Sequence, residues 1–196
     1  HAGIYLAEAN GWYDEAGIDL TIVEPSFDVG VEAAVAQGAA DVGLAQAESL
    51  LPARAAGVDV VAVATLLATN DSVLMALTVD GITDLGDLAG TTYGGVGGAL
   101  ETELLGRLLT CGGADPDSVE VVELGEADYL AGLEQDRFDF VWVFGGWDAL
   151  RASEVEGVDI TTVAFEDHLD CIPDWYTPLM LTSGDRVADP LIEAFV

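Results

Sequence analysis

The chain has 196 residues, 51% of them hydrophobic, with 36 acidic residues against 5 basic ones and a net charge of -31. Repulsion on that scale excludes nucleic acid and anionic membrane surfaces as partners, and the apolar content excludes a disordered chain. All five basic residues are arginine, and the acidic excess predicts adaptation to high salt, where the screening length shrinks to roughly 3 Å.

The opening "HAGIYLAEA" reads as a helix already under way, so an opening strand and any export signal are expected upstream of His1. "IDLTIV" then predicts a strand, "VGVEAAVAQGA" a helix, "DVGLA" a short strand and "AESLLPARAAG" a second helix. "VDVVAVATLL" and "SVLMALTV" are apolar strands. The glycine-spaced "DGITDLGDLAG" leads into a new unit: "TTYGG", the helix "ALETELLGRLL", "SVEVVEL", the helix "ADYLAGLEQD", "FDFVWVF" and "VDITTVAF". Near-continuous Val/Ile/Leu strands alternating with helices predict an α/β protein whose parallel sheet is covered on both faces.

The tail "DWYTPLMLTSGDRVADPLIEAFV" supplies a strand and a helix with nothing left to pack on in the second unit. The economical arrangement is two α/β lobes, 1–79 with 178–196 and 80–177, joined by crossings near Thr78–Gly81 and Thr177–Leu181. Ligands of open α/β sheets bind beyond the carboxyl ends of strands, which places the expected site in a cleft between lobes. No apolar run approaches the roughly 20 residues of a membrane-spanning helix. Cys111 and Cys171 lie far apart without metal-ligand spacing, and unpaired buried thiols are favoured over a disulfide.

The stretch "TTYGGVGGALETELLGRLL" places Gly94, Gly95, Gly97 and Gly98 between a strand and a helix. Leu100 stands where a dinucleotide fingerprint needs its last glycine, and a phosphate loop needs a lysine that the chain lacks. Tight turns alone would explain some of these glycines. The favoured reading is a loop whose amides, at a helix N-terminus, contact a small polar ligand.

"YGGVGGALETELL", "VEVVELGEADYLAGLEQDRFDFVWVFGGWDALRA", "GVDI" and "DWYTPLMLTS", in that order, resemble the substrate-binding proteins of thiamine-precursor importers. The likeness extends to the opening "HAGIYLAEANGWYDEAGIDLTIVEP" and so covers essentially the whole chain. It implies a type II periplasmic-binding-protein fold, two lobes closing on a pyrimidine-like ligand, and delivery to an ABC permease. It further implies a monomeric, extracytoplasmic protein without cofactor, metal or catalytic residues.

The resemblance puts an aromatic residue and glycines at the loop, here Tyr93, Gly94, Gly95 and Gly97, and another aromatic after the "VF" strand, here Trp147. A planar ligand suits such stacking partners. Tyr176 and Trp175, beside a crossing, are further candidates, whereas Trp142 inside its strand reads as core. Gln46 and Glu48, or Asn70 and Asp71, would complement an aminopyrimidine edge, and Asn70 and Asp71 could equally form only a turn. His1 corresponds to a motif histidine. Two departures stand out: the family carries a carboxylate where this chain has Gly145 and a tryptophan where it has Val96. Their loss widens the expected site, so a flavin such as riboflavin is the next candidate ligand. A pyrimidine synthase shares the fold, and the likeness to it implies a Schiff-base lysine and a cysteine-rich iron motif. This sequence has no lysine and only two cysteines, so a carrier is the favoured reading.

Overall fold

A computed structural model describes residues 2–24, 29–124 and 128–196, so His1 lies outside the described residues. The chain divides into two units: residues 1–68 with 176–196, and residues 69–175.

In the first unit, β1 (Gly43–Ala45), β2 (Val60–Thr65) and β8 (Leu179–Ser183) form a sheet in the order β1-β8-β2. The returning strand β8 is antiparallel to both neighbours. Helix α3 (Val31–Ala36) packs so closely on β1 that a Cβ at Gly43 would stand 2.5 Å from Val31, and α4 (Ala47–Ala55) adds Leu50 to a core of Val35, Val60 and Leu181. Helices α1 (Ala2–Ala9) and α2 (Trp12–Glu15) precede them, and Tyr13 stacks on Phe195 of α7 (Pro190–Phe195) with ring centroids 5.4 Å apart. The strand expected from "IDLTIV" is not formed. Residues 18–23 are irregular, and no described strand offers them a ladder.

The second unit holds five strands: β3 (Ser72–Leu77), β4 (Thr92–Gly95), β5 (Glu120–Glu123), β6 (Phe140–Phe144) and β7 (Ile160–Ala164), in the order β5-β4-β6-β3-β7. Strand β4 is parallel to β5 and β6, whereas β3 is antiparallel to β6 and β7. The expectation of an all-parallel sheet is therefore corrected. A strand buried on both faces shows the same unbroken apolar run whichever way it points. Leu74 and Ala76 of β3 face one core with Tyr93 and Phe140, and Val73 and Met75 face the other with Val141 and Val143. Helices α5 (Ala99–Cys111) and α6 (Tyr129–Glu134) cover the sheet.

Because β3 pairs throughout with β6 and β7, residues 72–77 belong to the second unit. The change of unit falls at 68/69 rather than at the expected 79/80. Cys111, at the end of α5, is disulfide-bonded to Cys171 across 60 residues, which corrects the expectation of buried free thiols. The Cα atoms stand 5.8 Å apart, and Cys111 is exposed. None of the described helices is long and apolar enough to cross a membrane.

Candidate functional site

The glycine loop is organised from within. Glu101, in the first turn of α5, accepts the Tyr93 hydroxyl (2.8 Å) and the Val96 amide (3.1 Å) on Oε1, and the Gly98 amide (3.0 Å) on Oε2. Those amides were expected to meet a ligand. The chain's own carboxylate holds them instead, the N3 glutamate reaching back to the N-cap amide at the helix start. Gly94 is required because a Cβ would stand 2.8 Å from the Phe138 ring, and Gly95 because one would stand 2.7 Å from Tyr93. Gly97 adopts φ +76°, the left-handed conformation that glycine tolerates.

Tyr93 itself is a core residue at 2% exposure, its ring 5.0 Å from that of Phe140. This corrects its expected role as an open stacking face. Burial, with the Glu101 carboxylate second, raises its phenol pKa far above the usual value, so it stays a hydrogen-bond donor. The G-x-x-E spacing of Gly98 and Glu101 is the signal in the sequence that could have found this carboxylate.

Trp147 is the opposite case. It is 70% exposed, in a π-helical turn (Gly145–Ala149) that follows β6 directly. Asp71, just before the neighbouring β3, pins that turn: its carbonyl accepts the Gly145 amide (2.8 Å) and its Oδ2 accepts the Gly146 amide (2.8 Å). A Cβ at Gly145 would stand 3.0 Å from Asp71 Oδ1. A carboxylate side chain at 145 would thus collide with a carboxylate that already occupies the place. Asp71 and the turn that carries Trp147, more than 70 positions apart in the sequence, are brought together by the β3–β6 pairing. Beside them, partial burial raises the carboxyl pKa of Asp148.

Asn70 is buried at 4% exposure. Its amide donates to Asp174 Oδ1 (3.0 Å), which also accepts the Trp175 amide (2.9 Å), and its own Oδ1 accepts the Ser72 amide (3.0 Å). The turn role that the sequence left open is therefore met, with the side chain bracing the start of β3.

In the first unit, Gln46 is exposed at the N-cap of α4, and Glu48 in its first turn is 3.4 Å from the Thr177 hydroxyl. Tyr176 is 60% exposed. Recesses of about 580 and 420 Å³ lie against α5 at the disulfide and beside α7, and none of the expected contact residues lines either. The one cluster of metal-ligand type among the described residues is Cys111, Asp170 and Cys171, whose sulfurs are consumed by the disulfide.

The NMT1/THI5-like family matches over residues 1–196. The chain belongs to that family. Among NMT1/THI5-like relatives, the chain is 31% identical over 125 residues to 4-amino-5-hydroxymethyl-2-methylpyrimidine phosphate synthase of Legionella pneumophila, covering 64% of this chain and 39% of that protein. It is 27% identical over 125 residues to the formylaminopyrimidine-binding protein of Halalkalibacterium halodurans, covering 64% of this chain and 38% of that one. The alignments thus span about two-fifths of the length of these relatives. Among solved structures, the Escherichia coli aliphatic sulphonate binding protein SsuA superposes with a TM-score of 0.76 at 19% identity, over 98% of this chain and 62% of that one. The Streptococcus pneumoniae amino acid ABC transporter substrate-binding protein AbpA superposes with a TM-score of 0.64 at 20% identity, over 97% of this chain and 73% of that one. At such identities the likeness shows the fold alone: the type II periplasmic-binding-protein fold of ABC-importer solute-binding proteins.

Proposed function

We propose that this chain is the ligand-binding part of a solute-binding protein serving an ABC importer, and that it holds a neutral, unphosphorylated aminopyrimidine or a kindred heteroaromatic vitamin fragment without turning it over. The observation that carries the reading is Glu101. A helix N-terminus behind a glycine loop is where a phosphate ester would settle, and here a carboxylate sits on the Val96 and Gly98 amides. A phosphorylated ligand would have to displace a like charge. Trp147 offers an exposed ring for stacking, and Asp71 Oδ1, which has no hydrogen bond among the described residues, offers an acceptor for an exocyclic amine. The Cys111–Cys171 disulfide fits an extracytoplasmic protein, since such bonds persist in oxidising compartments.

A second reading, a pyrimidine synthase, is favoured by the names of several relatives, among them those of Legionella pneumophila and Schizosaccharomyces pombe. Against it, the 196 residues contain no lysine to form a Schiff base. Calorimetric titration with 4-amino-5-hydroxymethyl-2-methylpyrimidine, its phosphate and riboflavin separates the readings. Saturable binding of the free pyrimidine, at least tenfold tighter than its phosphate and with the ligand recovered unchanged, is expected. Preference for the phosphate would overturn the carrier reading. Preference for riboflavin would keep the carrier and change its cargo.

A further inference from the structure

Three side-chain atoms of the second unit are buried with no hydrogen-bond partner among the described residues: Asn70 Nδ2, Ser72 Oγ and Trp175 Nε1. They belong to one corner. Asp174 Oδ1 binds the amides of Asn70 and Trp175 together, and Asn70 Oδ1 binds the amide of Ser72. Alternation along β3 turns Ser72 to the same side as Leu74. That side carries Trp142, Phe165 and Trp175, with Trp175 centred 6.3 Å from Trp142 and 6.2 Å from Phe165.

The chemistry of the three atoms is one-sided. Because Asn70 Oδ1 accepts from the Ser72 amide, the unmet end of that side chain is its NH2 group. An indole nitrogen only donates, and a hydroxyl can donate. The corner is therefore a set of donors lacking acceptors, walled by aromatic rings. Native interiors leave few such groups unpaired, and three in one place call for a missing partner. Asp71 and Asp174 flank the corner, so an anion is disfavoured there, and a neutral acceptor is what remains.

Resting on the carrier reading above, we propose that Asn70, Ser72 and Trp175 read the acceptor edge of the ligand, donating to ring nitrogens or a carbonyl of a neutral heteroaromatic molecule. The corner thereby sets which heterocycles are taken up, while Trp147 contributes stacking without regard to the edge.

The test uses the whole chain, 4-amino-5-hydroxymethyl-2-methylpyrimidine, and 2-amino-4-methylbenzyl alcohol, the same molecule with both ring nitrogens replaced by C–H. The wild type is expected to bind the pyrimidine about tenfold or more tightly than the carbocycle. The Ser72→Ala/Trp175→Phe double variant, which removes two of the donors and keeps an aromatic ring at 175, is expected to lose about tenfold in pyrimidine affinity and most of that discrimination. Ser72→Ala alone should not lower the melting temperature, since the hydroxyl it removes has no hydrogen-bond partner among the described residues, whereas the indole lost from Trp175 costs packing against Trp142 and Phe165. Equal wild-type binding of the two compounds, or undiminished affinity of the double variant, would overturn the proposal and leave the carrier reading standing. So would a fall of several degrees in the melting temperature of Ser72→Ala alone, because buried water would then be the missing partner. A wild type that binds neither compound would remove the pyrimidine reading and this inference together.

Discussion

The hydroxyl of Tyr93 donates to the carboxylate of Glu101 at 2.8 Å, joining the end of β4 to the first turn of α5 underneath the glycine loop. This bond makes Tyr93 a support of the loop. Tyr93→Phe should cost about 1–2 kcal/mol of stability, as expected for a hydrogen bond to a charged, half-buried acceptor. Ligand affinity should change less than twofold. Urea denaturation with parallel titrations checks both, and a large affinity loss at unchanged stability would return Tyr93 to the ligand.

Trp147 should behave in the reverse sense. At 70% exposure its ring contributes little to the fold, so Trp147→Ala should alter stability by no more than about 0.5 kcal/mol. Affinity for the free pyrimidine should fall about tenfold, as one stacking face is removed together with its contact area. Retained affinity would detach Trp147 from the site.

Gly94→Ala tests why the loop is glycine-rich. The new Cβ would stand 2.8 Å from Phe138 and 2.9 Å from Leu124, both in the core. Overpacking of that kind costs about 1–3 kcal/mol. The expected result is a lower melting temperature, with residual ligand binding in proportion to the folded fraction. An unchanged melting temperature with lost binding would mean that the glycine serves the ligand.

Cys111 and Cys171 close a 60-residue loop, which by chain entropy stabilises the second unit by about 4 kcal/mol. Incubation with a phosphine reductant should lower the melting temperature by several degrees, and the Cys111→Ser/Cys171→Ser variant should match the reduced protein. Alkylation of both thiols in unreduced, denatured protein would show that the bond does not form.

Salt dependence follows from the charge balance. Four of the five arginines sit in ion pairs (Arg54, Arg107, Arg151 and Arg186), leaving most of the 36 acidic residues without a cationic partner. The melting temperature should therefore rise from dilute buffer to molar potassium chloride, as screening relieves the repulsion. A flat or falling profile would remove the high-salt reading.

Much of this architecture is legible in the linear chain because its signals are local. The apolar runs 72–77 and 140–144 announce strands wherever they pair, and Gly98 with Glu101 announces the start of α5. The two-unit division follows from a tail that has no place in the second half. Direction and membership are different. Nothing in "SVLMALTV" states that β3 runs antiparallel between β6 and β7, and that placement alone moved the unit boundary to 68/69. "IDLTIV" has strand composition yet no ladder, because pairing needs a neighbour as well as a propensity.

Composition and spacing were enough to settle the α/β class and the acidic excess, since each depends on residue identity or on neighbours a few positions away. Tertiary structure alone decided that Tyr93 is buried and Trp147 open, though both are aromatics just past or within a strand. It also joined Asp71 to Gly146, and Asn70 to Asp174, across 75 and 104 positions. Whether a ring or a carboxylate is free to meet a ligand depends on what else the folded chain has already placed against it, and that is a property of contacts between distant segments.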